Sequence, residues 1–70
     1  MNTMTEKRHL PLTPKEIRKI RKGLNLSQAK AAEKVGVSRR SWAAWESGET
    51  VPTPPLQKLI RLLEAGKLDD

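Results

Sequence analysis

From residue 14 onward, apolar side chains recur at spacings of three and four, and polar, glycine-bearing steps separate the runs, so the chain is written in helical periods. Ile17, Ile20 and Leu24 form the first apolar stripe. Before it stands Thr13-Pro14-Lys15-Glu16, in which Thr13 can cap, Pro14 suits the first helical position and Glu16 completes a capping box. Gly23, with Asn25 close behind, is expected to end this helix in the left-handed conformation. A second helix opens at Leu26-Ser27-Gln28 with Ser27 as cap, turns Ala31, Ala32 and Val35 inward, and closes at Gly36. The third is capped by Ser38, seats Trp42 and Trp45 on one face, and ends at Ser47-Gly48. Val37 can staple against Trp42. The fourth starts at Thr53-Pro54, tolerates Pro55 in its first turn, and carries Leu56, Leu59, Ile60 and Leu63 inward to a stop at Gly66, with Leu62 at the margin.

No segment alternates as a strand does, so the expected fold is all-α, a compact four-helix bundle with short connections. Residues 13–66 would form the domain, 1–12 a flexible arm and 67–70 a short polar tail. Pro11 holds its predecessor extended, and Leu10 or Leu12 can tack the arm onto the domain. Lys7 and Arg8 make the arm either a mobile tail or a basic segment that follows a minor groove.

Seventy residues suit one small domain, which buries only ~60% of its unfolded surface. Trp42 and Trp45 are the only aromatic residues, so the core is heaviest in the third helix. With no cysteine and a single histidine, His9, neither a metal site nor a cofactor is expected, and no nucleophile–base pair suggests catalysis. Fourteen lysines and arginines against eight acids leave a net charge of +6, which favours phosphate-rich polymers or an anionic membrane. No long apolar run or signal-peptide core supports the membrane, so a cytoplasmic protein is expected.

Gln28–Ser47 fits a twenty-residue helix-turn-helix frame. Ala31, Val35, Val37, Trp42 and Trp45 take the inward positions, Ala32 the close crossing and Gly36 the turn. Two helices crossing at ~90–120° on a short turn need a small residue at the crossing and a permissive backbone between them. Leu26-Ser27-Gln28, Val35-Gly36-Val37-Ser38 and Trp45-Glu46-Ser47-Gly48 resemble the signatures of the phage repressor and Cro (XRE-type, Cro/C1) helix-turn-helix family, over roughly Leu12 to Leu63. The resemblance implies a lambda-repressor-like DNA-binding domain, commonly dimeric, in a transcriptional regulator. Members usually carry a fifth helix that makes the dimer contact; four helices are expected here. Arg21 and Glu46 occupy positions that resemble the family's structural ion pair, and Gln28 one that resembles a backbone clamp buttressing the recognition helix.

The residues themselves point the same way. Arg39 and Arg40 stand in the first turn of helix 38–47, the part that enters a major groove, where a guanidinium can pair with guanine O6 and N7. Ala43 and Ala44 are small enough to let the helix sit deep and pack on thymine methyls. Gln28 and Ser27 at the start of the second helix, Ser38 and Ser41 on the third, and Thr50 and Thr53 in a loop offering N–H donors are candidate phosphate contacts. Glu49 should point away from them. Lys15, Arg18, Lys19 and Lys22 form a basic stripe that is either a solvated face or a phosphate-contacting one, with Lys19 and Lys22 the candidates. The leading expectation is a repressor that binds an inverted-repeat operator in double-stranded DNA as a homodimer. The alternatives are an antitoxin gripping a toxin partner while binding its own promoter, and a protein-binding adapter, against which the paired arginines and alanines argue. Leu62 with the end of the fourth helix, or exchanged Leu10–Leu12 segments, are the candidate dimer surfaces.

Overall fold

The computed structural model describes residues 12–68. Lys7, Arg8, His9 and Leu10 of the arm, and Asp69 and Asp70 of the tail, lie outside the described residues. Four helices follow in order: α1 (Pro14–Gly23), α2 (Gln28–Val35), α3 (Arg39–Ser47) and α4 (Pro54–Glu64). Among the described residues there is no strand.

The predicted starts are met by three caps. The Thr13 hydroxyl accepts from the Glu16 N–H while the Glu16 carboxylate accepts from the Thr13 N–H, the reciprocal pair of a capping box. Ser27 and Ser38 accept from the N–H groups of Lys30 and Ser41. Thr53 takes the extended cap conformation without a side-chain bond. Pro54 and Pro55 remove two first-turn N–H donors, but that of Leu56, the position the other three caps bond, is present.

The end of α1 differs from the expected one. Gly23 belongs to the helix, Leu24 is the cap at φ −96°, and Asn25 takes the left-handed step at φ 59°. Leu26 N–H then bonds Arg21 C=O and Asn25 N–H bonds Lys22 C=O, the two bonds of a Schellman closure. Asparagine tolerates this conformation because its short polar side chain bonds locally. Leu24 consequently leaves the apolar stripe and is 37% exposed.

Trp42, Ile17 and Ile60 are the largest fully buried side chains, one each from α3, α1 and α4. Ala31, Ala32 and Val35 complete the interior from α2, whose small residues let α3 pack closely across it. The two indole rings lie 5.5 Å apart and tilted by 52°, a favourable aromatic arrangement. Val37, Leu56 and Leu59 pack against this core from its margin, and so does Leu68, which had been placed in a polar tail. Leu12 is buried, and its N–H reaches Gln57 Oε1 at 3.3 Å while Gln57 Nε2 donates to Pro52 C=O. Gln57 thus ties the start of the domain to the loop before α4, a role that no pattern in the sequence marks.

Candidate nucleic-acid interface

The turn between α2 and α3 sets the site. Gly36 at φ 88° closes α2, and Val37 N–H returns to Ala32 C=O, so the chain reverses within two residues before Ser38 starts α3. A Cβ at Gly36 would meet open space, so glycine is there for its backbone conformation alone. α3 then presents one face inward and one outward. Trp42, Trp45 and Glu46 are buried, whereas Arg39 and Arg40 are exposed in the first turn and Ala43 and Ala44 are partly buried beside them. No protein group holds either arginine in an ion pair or hydrogen bond among the described residues. Ser47 is a further exposed residue on this outer face; its hydroxyl donates to Ala44 C=O.

What holds α3 in place is a buried carboxylate. Glu46 is only 3% exposed at its side chain. Its Oε2 accepts from Arg21 Nε at 2.5 Å and from Trp42 Nε1 at 2.6 Å, and its Oε1 from Arg21 Nη2 and Gln28 Nε2, both at 3.1 Å. The third arm of Arg21 donates to Leu26 C=O at 2.9 Å. Burial by itself pushes the Glu46 carboxyl up. The bonds from Arg21, Trp42 and Gln28, with the charge of Arg21, outweigh it and hold the group below the usual carboxylate value. The bond to Glu46 raises the Arg21 guanidinium above its ordinary value against the pull of desolvation, so both partners stay charged. The resemblance implied a partly buried Arg21–Glu46 pair and a Gln28 that buttresses the recognition helix; the bond from Trp42, and the meeting of all four groups on one carboxylate, are new. Trp42 and Glu46 stand four apart on one helix and could have been paired from spacing. Gln28, eighteen residues from Glu46, carries no spacing signal, and the resemblance alone pointed to it as a buttress of this helix.

The remaining candidates sort by position. Gln28 is partly buried, and one of its two amide N–H groups goes to Glu46, which leaves the other as a donor. The Ser27 oxygen caps α2 and keeps its O–H as a donor. Ser38 donates to Ser41 Oγ at 3.2 Å, which passes the free O–H to Ser41. Thr50 and Thr53 are exposed, with Val51 between them 62% exposed. The loop offers fewer N–H donors than expected, because those of Gly48, Glu49 and Thr50 fold back onto Trp45 and Ala44 carbonyls to close α3. Lys22 is exposed on the last turn of α1. Lys19 instead lines the groove between α1 and α4 with Glu16, Ile20, Leu24, Arg61 and Glu64, apart from the carboxylate cluster. Arg18, one residue away, leans toward Glu46, with its Nε 3.7 Å from Oε1.

A family model described as a helix-turn-helix domain matches residues 15–69. The chain belongs to the helix-turn-helix family. Within it, the chain is similar to the Aca2 repressor of Pectobacterium phage ZF40, 47% identical over 53 residues that cover 73% of this chain and 46% of that protein. It is also similar to the cryptic phage CTXphi transcriptional repressor RstR of Vibrio cholerae serotype O1, 38% identical over 45 residues, 64% of this chain and 38% of the relative. The chain therefore spans less than half the length of each of these relatives. Both are named repressors, the branch of the helix-turn-helix family that the sequence signatures resemble. None of the described helices is long and apolar enough to cross a membrane.

Proposed function

We propose that this chain is a sequence-specific transcriptional repressor that sets α3 into the major groove of double-stranded DNA. The observation that carries the reading is the outer face of α3, where Arg39 and Arg40 are exposed beside small Ala43 and Ala44 on a helix fixed from behind by Trp42, Trp45 and Glu46. The arginines supply the paired donors that guanine accepts, and the alanines leave room for the base edges. Gln28, Ser27, Ser38, Ser41, Lys22, Thr50 and Thr53 serve the flanking phosphates, positioning the helix without selecting sequence. Lys19, exposed at the rim of the α1–α4 groove, is a further candidate for the same role. The operator is an inverted repeat read by a homodimer in the cytoplasm, with half-sites about 10–10.5 bp apart or a multiple of it. The repressor names of the two relatives support this reading over an antitoxin, for which no observation speaks.

The test is a titration of the DNA upstream of its own gene against random DNA of equal length at physiological salt. The upstream fragment should be preferred, and equal affinity for both overturns sequence-specific repression. Ala44→Glu should abolish that preference with an unchanged circular dichroism spectrum, because a carboxylate there faces phosphates and base acceptors. Wild-type affinity in this variant would show that the face does not enter the groove.

A further inference from the structure

The Glu46 carboxylate is full. A carboxylate offers about four lone-pair sites, and Arg21 Nε, Arg21 Nη2, Trp42 Nε1 and Gln28 Nε2 take two on each oxygen. Arg18 arrives as a fifth partner, 3.7 Å from Oε1, too long for a hydrogen bond. Its side chain is 56% exposed and its guanidinium makes no hydrogen bond to protein among the described residues. Two guanidinium groups around one carboxylate leave the cluster with a surplus positive charge. That surplus sits on the member that nothing holds. Gln28 Nε2 touches the same oxygen atom at 3.1 Å, so Arg18 and the Gln28 clamp converge on one spot.

We propose that Arg18 is a DNA-phosphate contact, drawn toward Glu46 in the free protein and turned to the phosphate that Gln28 also meets when the duplex binds. The inference rests on the DNA-binding reading and adds a residue to it. Arg18 is suited to the exchange because it leaves behind no broken hydrogen bond, while Arg21 would have to abandon three. A planar fork with all its N–H groups open can meet phosphate oxygens in pairs. The contact is sequence-independent, so it raises affinity for operator and random DNA alike.

The experiment measures binding of the full chain to a random-sequence duplex between about 0.05 and 0.3 M salt for wild type, Arg18→Gln, Arg18→Lys and Arg61→Gln. One phosphate contact carries a slope of about 0.9 in log affinity against log salt, which is about eightfold in affinity at 0.1 M. Arg18→Gln should lose about that slope and that factor, and Arg18→Lys should recover part of both. Arg61→Gln removes the same charge from α4, where Arg61 pairs with Glu64 at 3.5 Å, and should keep the wild-type slope. The melting midpoint and tryptophan emission of Arg18→Gln should match wild type, since Trp42 and Glu46 stay bonded. Equal losses in Arg18→Gln and Arg61→Gln, an unchanged slope in Arg18→Gln, or a fall in its midpoint with shifted emission each overturn the inference while leaving DNA binding in place. A wild-type chain that binds no duplex overturns the DNA-binding reading itself and the inference with it.

Discussion

Replacing Glu46 by glutamine changes almost no volume and should nevertheless destabilise the domain severely. Each carboxylate oxygen accepts two donors, so an NH2 group at either position faces donors rather than acceptors. The milder placement puts it where Oε1 stands. Gln28 can then flip its amide to accept, but Arg21 Nη2 is left without a partner. One charge-assisted hydrogen bond, worth ~1.5–3 kcal/mol, is lost. The counter-charge of Arg21, whose side chain is 14% exposed, goes with it. Breaking a buried pair costs ~3–5 kcal/mol. The retained bond from Arg21 to Leu26 C=O places the loss near the low end, about 3 kcal/mol. A domain of this size has roughly 4–10 kcal/mol in total, and each kcal/mol moves the midpoint by about 4–8 °C. Glu46→Gln should therefore melt roughly 12–24 °C below wild type by far-ultraviolet circular dichroism. Glu16→Gln makes the matched control, because the exposed Glu16 accepts a single bond from Thr13 N–H that an amide oxygen can also accept. A Glu46→Gln midpoint as close to wild type as that of Glu16→Gln would refute the four-donor cluster as the support of α3.

The same carboxylate fixes the acid limb of stability. Its folded-state value lies below the ordinary 4.5, so the stabilisation is complete above 4.5 and is lost as pH falls through the folded value. The wild-type midpoint should drop below pH 4.5 more steeply than that of Glu46→Gln, and parallel curves would rule out Glu46 as the source. Gly36→Ala should cost ~1–2 kcal/mol in chemical denaturation, since its φ of 88° is strained for any side chain although nothing lies within 4 Å; a neutral result would mean that the turn relaxes. Arg39→Ala should relax base preference at one operator position in a panel of single-base variants, by ~1–3 kcal/mol; a uniform loss across the panel would place Arg39 on phosphate.

The helices, their caps and the outer face of α3 were legible because each rests on local rules. Spacings of three and four give the faces, and Ser27 and Ser38 give the starts. The same rules failed where two of them competed. At the end of α1 glycine was the stronger left-handed residue, yet Asn25 stood at the step where Leu26 N–H could close back on Arg21, and register decided over propensity. At Thr53 the cap residue was right and the cap bond is absent, although the Leu56 N–H at the position the other caps bond is present. Lys19 and Arg18 were adjacent in one basic stripe, and a rotation of about 100° per residue sends one to the α4 groove and the other to Glu46.

The carboxylate cluster shows why such a site resists reading from sequence and why it matters to the proposed chemistry. Its members come from three helices, and only Trp42–Glu46 has helical spacing. A recognition helix anchored by Trp42 and Trp45 alone would have its depth fixed by apolar contact, which constrains sliding and rotation weakly. The two Arg21 bonds are directional and fix Glu46, and with it the rotation of α3, to α1, while the bond from Trp42 Nε1 within α3 holds the carboxylate in its orientation. Gln28 completes the frame by tying the start of α2 to Oε1 of the same carboxylate. The remaining N–H of the Gln28 amide and the exposed helix turn that carries Arg39 and Arg40 are then tied to one carboxylate. Every buried side-chain nitrogen and oxygen among the described residues has a partner, so no internal demand competes for these donors. The free donors lie on the face assigned to DNA, where phosphates and base edges supply the acceptors.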